Sequence, residues 1–179
     1  MCYNCFYNMA KDVFGEVFNS ITHGQLNIDE SIGLIKSFLE EKPSGEYCLV
    51  IGTDSHERNS GSFVKTVGLV TAVLVHRKGF GGKYFWKRKD LSNIHSLREK
   101  IYAETLESLS FASVFVPMLK KALNGKSPNY NLEIHIDVGE HGDTRDMIKE
   151  VVGMVTGNGF VAKTKPEAYG ASYVADKHT

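Results

Sequence analysis

Three carboxylates in this chain stand where a folded core gains nothing from them and a metal ion would. Asp54 follows the apolar run 47–53, Asp137 follows a second run at 132–136, and Glu104 lies between them in a stretch of helical periodicity. A fourth acid, Asp176, stands close to residue 179. Runs of this kind read as buried strands, so Asp54 and Asp137 are expected at strand ends. On neighbouring strands those ends lie about 5 Å apart, and the two carboxylates then share one small volume. Crowded carboxylates repel unless a cation neutralises them, and Mg2+ and Mn2+ prefer such hard oxygen ligands. Two ions about 4 Å apart can activate a water and stabilise the leaving oxygen in phosphodiester hydrolysis. In that scheme Asp54 bridges both ions, Asp137 and Glu104 bind one, and Asp176 binds the other. His178 and His141 are candidate proton shuttles, because imidazole titrates near neutral pH. Taken singly, each acid also has an ordinary structural use: Asp54 capping a turn with Ser55, Asp137 capping one before Gly139, Glu104 as a helix-surface charge. Two aspartates closing two apolar runs, with an acid in the linking helix, form a set that those uses do not explain.

The elements that must position these groups follow from periodicity and punctuation. Residues 1–27 read as an N-terminal extension and 28–179 as one domain. Asn27 or Asp29 caps a helix with Ile32, Ile35, Phe38 and Leu39 on one face, ending before Pro43. Strands are predicted over 46–53, 63–76 and 83–89, the last two joined by the glycine-rich turn 79–82. The polar segment 56–62 reads as another hairpin loop. Ser92 or Asn93 opens a long helix to about Leu123, in which Pro117 is expected to produce a kink or a split and which Gly125 stops. A strand over 132–138, a helix over about 143–157, a strand over 160–165 and a short helical tail complete the order. Three hairpin-linked strands followed by alternating helices and strands imply an α/β fold with a mixed sheet. The order does not fix which strands pair, but right-handed winding of strand, crossover helix and strand is expected to make the first and fourth neighbours, with Glu104 on the crossover helix.

Composition narrows the class. A chain of 179 residues with 42% hydrophobic residues can build one good core. Lys+Arg and Asp+Glu both number 21, so a polyanion would be held by a local patch and not by the field of the whole molecule. The first residues lack a basic start followed by an apolar stretch, and no run is long and apolar enough to span a bilayer, so a cytoplasmic location is expected. The three cysteines form no disulfide framework. Cys2 and Cys5 make a single C-x-x-C without the second ligand pair that zinc requires.

Several separated motifs occur together and in order: 52–56 around Asp54, 102–106 around Glu104, 135–139 around Asp137, 145–153, and the closing pieces 165–169 and 174–178. In these stretches the chain, over roughly 28–179, resembles the YkuK-like family of unknown-function domains within the ribonuclease H-like superfamily. The resemblance implies a five-stranded sheet with its first three strands antiparallel. It also implies a metal-dependent nuclease, with Asp54, Glu104, Asp137 and Asp176 at the superfamily's acidic positions. Superfamily members usually carry the last acid on a substantial C-terminal helix, whereas only three residues follow Asp176 here; Asp143 is the substitute within reach.

The predicted third strand bears on nucleic-acid binding. Alternation puts Tyr84, Trp86 and Arg88 on one face and Phe85, Lys87 and Lys89 on the other. The cationic face suits phosphates, and equally suits an edge strand guarded by lysines. Two other readings remain: the same fold as a non-catalytic nucleic-acid- or protein-binding module, and an actin-like phosphotransferase suggested by the turn 137–144. The second needs a partner domain for which this chain has no room.

Overall fold

The computed structural model describes residues 16–58, 66–125, 129–140, 144–169, 173–174 and 176–178. Two short strands, β1 (Phe18–Ser20) and β2 (Gly24–Leu26), precede helix α1 (Ile28–Glu40). Three long strands follow, β3 (Tyr47–Arg58), β4 (Thr66–Arg77) and β5 (Gly81–Ser92), and then the long helix α2 (Leu97–Leu123). Strand β6 (Tyr130–His135), a 3-10 turn (Arg145–Met147), helix α3 (Ile148–Gly157) and strand β7 (Val161–Lys163) complete the elements. The sheet order is β2-β1-β5-β4-β3-β6-β7. Strands β3, β4 and β5 are antiparallel, while β6 and β7 join parallel to β3 and β6.

The sheet therefore has seven strands where five were expected. The two extra ones lie in the segment read as an N-terminal extension, and they lengthen the same sheet at its β5 edge, with Asn19 opposite Trp86. Phe18 anchors them: it is fully buried, its ring 5.6 Å from that of Phe111 on α2. Three-residue strands are too short to show a period, so the sequence could not mark them.

Local chemistry sets the helix starts. Asn27 caps α1 and Ser96 caps α2, each in a reciprocal box with a glutamate three residues on, Glu30 and Glu99. The start of α2 is thus later than Ser92 or Asn93. Pro117 does not divide α2, because Val114, Phe115, Val116, Leu119 and Leu123 bury both sides of it in one core while Pro117 itself faces solvent. In the β4–β5 turn, Gly79 and Gly81 adopt φ of 77° and 81°, a region that L side chains avoid.

All three helices cover one face of the sheet. Leu49, Ile51, Val73, Val75, Phe85 and Ile134 point into that core with Phe111, Phe115, Leu119 and Val151. The second face carries Val50, Val70 and Ala72, which are also buried. The C-terminal residues cross it: the Tyr169 ring lies 6.3 Å from that of His135, and the His178 ring stacks on Trp86 at 3.6 Å.

Among the described residues no helix is long and apolar enough to cross a membrane. Cys2, Cys5, His141 and Asp143 lie outside the described residues.

Candidate functional site

The register of four ladders, two parallel and two antiparallel, builds the site. Strand β6 pairs with β3 up to Gly52 opposite His135, and with β7 up to His135 opposite Lys163. Carrying both registers forward by two residues sets Asp54, Asp137 and Lys165 side by side on the second face. The backbone keeps that alignment beyond β6, since the Ile136 amide donates to the Lys163 carbonyl at 2.9 Å and the Lys165 amide to Val138 at 2.8 Å. On the other side Asp54 stands opposite Val70, and Val70 opposite Arg88. One row across the sheet thus reads Arg88, Val70, Asp54, Asp137, Lys165.

Asp54 is not at the end of its own strand, as the apolar run suggested. Strand β3 continues to Arg58, still paired with β4. The strand that ends is β6, at His135, so Asp54 loses its ladder on one side only and faces the gap. That gap is a cleft of about 220 Å³ lined by Asp54, Leu97, Lys100, Ile101, Glu104, Asp137, Gly139, Thr144 and Lys165. Helix α2 delivers Glu104 to it from the helical side of the sheet. Ser55, the next residue along β3, fixes Glu104 by donating its hydroxyl to Oε1 at 2.6 Å. One layer further in, Ser108 donates to Thr53 at 2.8 Å, and the Thr53 and Thr71 hydroxyls lie 3.0 Å apart. This polar seam between β3 and α2 gives the buried acid one hydroxyl partner, Ser55, in an otherwise desolvated seat.

Electrostatics show the crowding. Burial pushes the Asp54 carboxyl up to about 6, and a hydrogen bond to Asp176 with the nearby charge of Asp137 adds to the rise. Burial pushes Glu104 up to about 7; Asp54 and Asp137 add to it, against the Ser55 hydrogen bond and Lys100. Lys165 places Nζ 2.8 Å from Asp137 Oδ1. That hydrogen bond raises the lysine's pKa, helped by the charges of Asp54 and Asp176. Asp54 is thus crowded by Asp176 and Asp137, and Glu104 by Asp54 and Asp137. Still, no three acidic, histidine or cysteine groups among the described residues already have the spacing to ligate one ion.

His178 has a different setting from the one its type suggested. Its ring stacks on Trp86 with an interplanar angle of 7° and packs beside Tyr84, while Arg88 Nη2 donates to its carbonyl. Burial lowers its pKa, with Arg88 and Lys177 contributing. It anchors the tail.

The cationic face of β5 is also corrected. Phe85 and Lys87 point into the helical core, and Lys87 is only 2% exposed. Its ammonium lies 2.7 Å from Glu107 and 2.6 Å from Glu16, and Lys89 lies 3.1 Å from the same Glu107. These cations are neutralised within the protein, because β1 covers the edge of β5 and α2 supplies the counter-charge. Sequence reasoning missed Lys165, Ser55 and Lys100 as site residues. For Lys165 and Ser55 the one available signal was membership in the motifs around residues 165–169 and 52–56.

The family profile described as Ribonuclease H-like matches residues 30–179. A relative in Bacillus subtilis (strain 168), called uncharacterized protein YkuK, is 32% identical over 172 residues, covering 91% of this chain and 96% of the relative. No solved structure gives a significant match.

Proposed function

The chain belongs to the ribonuclease H-like family, and we propose that it is a divalent-cation-dependent nuclease acting on phosphodiester bonds of RNA, DNA or a hybrid. One observation carries the reading: Asp54 and Asp137 fall into register on neighbouring strands beside a cleft that Glu104 also lines. Four hard oxygen donors in mutual repulsion suit Mg2+ or Mn2+. Lys165, with its ammonium on Asp137, stands where a cation is wanted. Asp54, Glu104, Asp137 and Asp176 would hold the metal, which supplies Lewis acidity and a more acidic bound water. Around it the protein's own groups have definite tasks. Ser55 orients Glu104 by its 2.6 Å hydrogen bond. Lys165 holds Asp137 and shields its charge until the acids take up a cation. Lys100, at the rim, eases the ionisation of Glu104.

The test is cleavage of labelled RNA, single-stranded DNA, duplex DNA and hybrid in Mn2+, with Asp54→Asn as the control for contaminating nuclease. The parent should cut at least one substrate and the variant none. Equal cutting by both would sink the proposal. A second reading, a non-catalytic member of the same fold, is favoured by the Lys165–Asp137 ion pair, which fills one ligand position with protein. Titration calorimetry with Mn2+ separates the two: heat that is lost in Asp54→Asn supports the nuclease, and no heat supports the module.

A further inference from the structure

The C-terminal residues do more than deliver Asp176. Among the described residues, Tyr169 is 75% exposed and Tyr173 63% exposed, comparable to Phe80 on the β4–β5 turn at 64%. They are linked by a helical hydrogen bond, the Tyr173 amide donating to the Tyr169 carbonyl at 3.2 Å. Lys177 continues the same four-residue spacing, and its Nζ lies 4.3 Å from the centre of the Tyr173 ring. The backbone bond from Tyr173 to Tyr169 and the Lys177 ammonium over the Tyr173 ring keep the two tyrosines and the cation close together. The segment is anchored beside them: Val174 is buried, and His178 stacks on Trp86. The segment runs from His135 to Trp86, the row of the sheet one step below Asp54 and Asp137.

Two solvent-facing aromatic rings with a cation at one end, fixed beside a phosphodiester-cutting site, match the needs of an unpaired strand. Every base offers a π-face, and stacking on aromatic side chains is the sequence-tolerant way to hold it. Paired bases are already stacked and offer these rings nothing. We propose that Tyr169, Tyr173 and Lys177 form a stacking platform for single-stranded nucleic acid, with Tyr169 and Tyr173 taking bases and Lys177 a phosphate. This deepens the nuclease reading by naming the form of polynucleotide presented to the same carboxylates. Binding at the platform nonetheless needs neither metal nor cleavage.

Fluorescence anisotropy of the full chain in EDTA tests it, using labelled twelve-residue oligo-uridylate, oligo-thymidylate and a duplex of equal length. Both single strands should bind, and bind tighter than the duplex. Tyr169→Ala and Tyr173→Ala should each weaken single-strand binding by roughly five- to a hundred-fold, while Tyr→Phe at either position should bind like the parent. Salt dependence should be shallow, a slope of about −0.7 per phosphate contacted. No single-strand binding, a preference for the duplex, or alanine variants that bind like the parent would each overturn the proposal. Both side chains are exposed, so misfolding of these variants is not the concern, and a circular dichroism spectrum checks it. Tyrosine-dependent binding without any cleavage in Mn2+ would retain the platform and reject the nuclease. Cleavage indifferent to both tyrosines would do the reverse.

Discussion

Replacing Glu104 with glutamine should stabilise this protein, and the size and pH dependence of the gain follow from where Glu104 sits. The side chain is 5% exposed. Burial lifts its carboxyl from an ordinary 4.5 to about 7, with Asp54 and Asp137 adding to the rise. At pH 4.5 and below, the group is largely neutral in both folded and unfolded chains and costs nothing. Between 4.5 and about 7 the unfolded chain releases the proton while the folded one keeps it, so stability falls as pH rises. The span of that window corresponds to about 3 kcal/mol. Glutamine is neutral throughout and can still accept from Ser55. At pH 8 in EDTA the variant should therefore exceed the parent by about 3 kcal/mol, or about 6–12 °C in Tm for a domain of this size. The advantage should close as the pH approaches 4.5. Calorimetric or circular-dichroism melts of both proteins at matched pH give the difference directly, and other titrating groups cancel. A variant that melts at or below the parent at pH 8, or a gain that does not change with pH, would refute the account of Glu104 as a desolvated, crowded acid. Adding Mn2+ at pH 8 should raise the parent's Tm and shrink the variant's lead, because the cation neutralises what glutamine removes.

Lys87→Met should cost about 3–5 kcal/mol in urea unfolding, since it strands Glu107 and Glu16 without their buried cation; the double variant with Glu107→Met should recover most of that, and a single-variant cost below about 1 kcal/mol would mean the network is not buried as described. His178→Ala should expose Trp86, the only tryptophan in the chain, and shift its emission to longer wavelength; an unchanged spectrum would place the tail elsewhere.

The strands that carry Asp54 and Asp137 were legible because apolar residues recur at strand spacing in 47–53 and 132–136, which marks buried strands whatever the fold. The element order left the pairing of β3 and β6 open; right-handed winding made them the expected neighbours, and the ladder between them is parallel. Three features were hidden for physical reasons. Strands β1 and β2 carry no period, and only the burial of Phe18 against Phe111 reveals what holds them. Lys87 reads as a solvent cation until Glu16 and Glu107 are brought to it by separate elements. Lys165 reads only as the last residue of a strand over 160–165 until the β6–β7 register sets it beside Asp137. The start of α2 differs in kind: Ser96 and Glu99 form a capping box that is present in the sequence, and the nearer Ser92 and Asn93 only seemed better because the preceding strand was drawn too short.

The position of Asp176, with three residues after it, looked too poorly supported for a group that must be held to within a fraction of an ångström. The structure supplies the support from the sides and not from a long helix. Val174 is buried on one flank; on the other, His178 lies between the Trp86 ring and the Arg88 guanidinium that binds its carbonyl. Trp86 and Arg88 belong to β5, two strands away from Asp54, so the tail is pinned at the far side of the sheet and drawn across the second face. Stretching a short segment between two anchors limits its freedom much as helical hydrogen bonds would. Tyr169 and Tyr173 stay exposed while Val174 and His178 are held against the sheet. A change that loosens the anchor, such as His178→Ala, should therefore weaken the response of Asp54 to Asp176 and the grip on a single strand together.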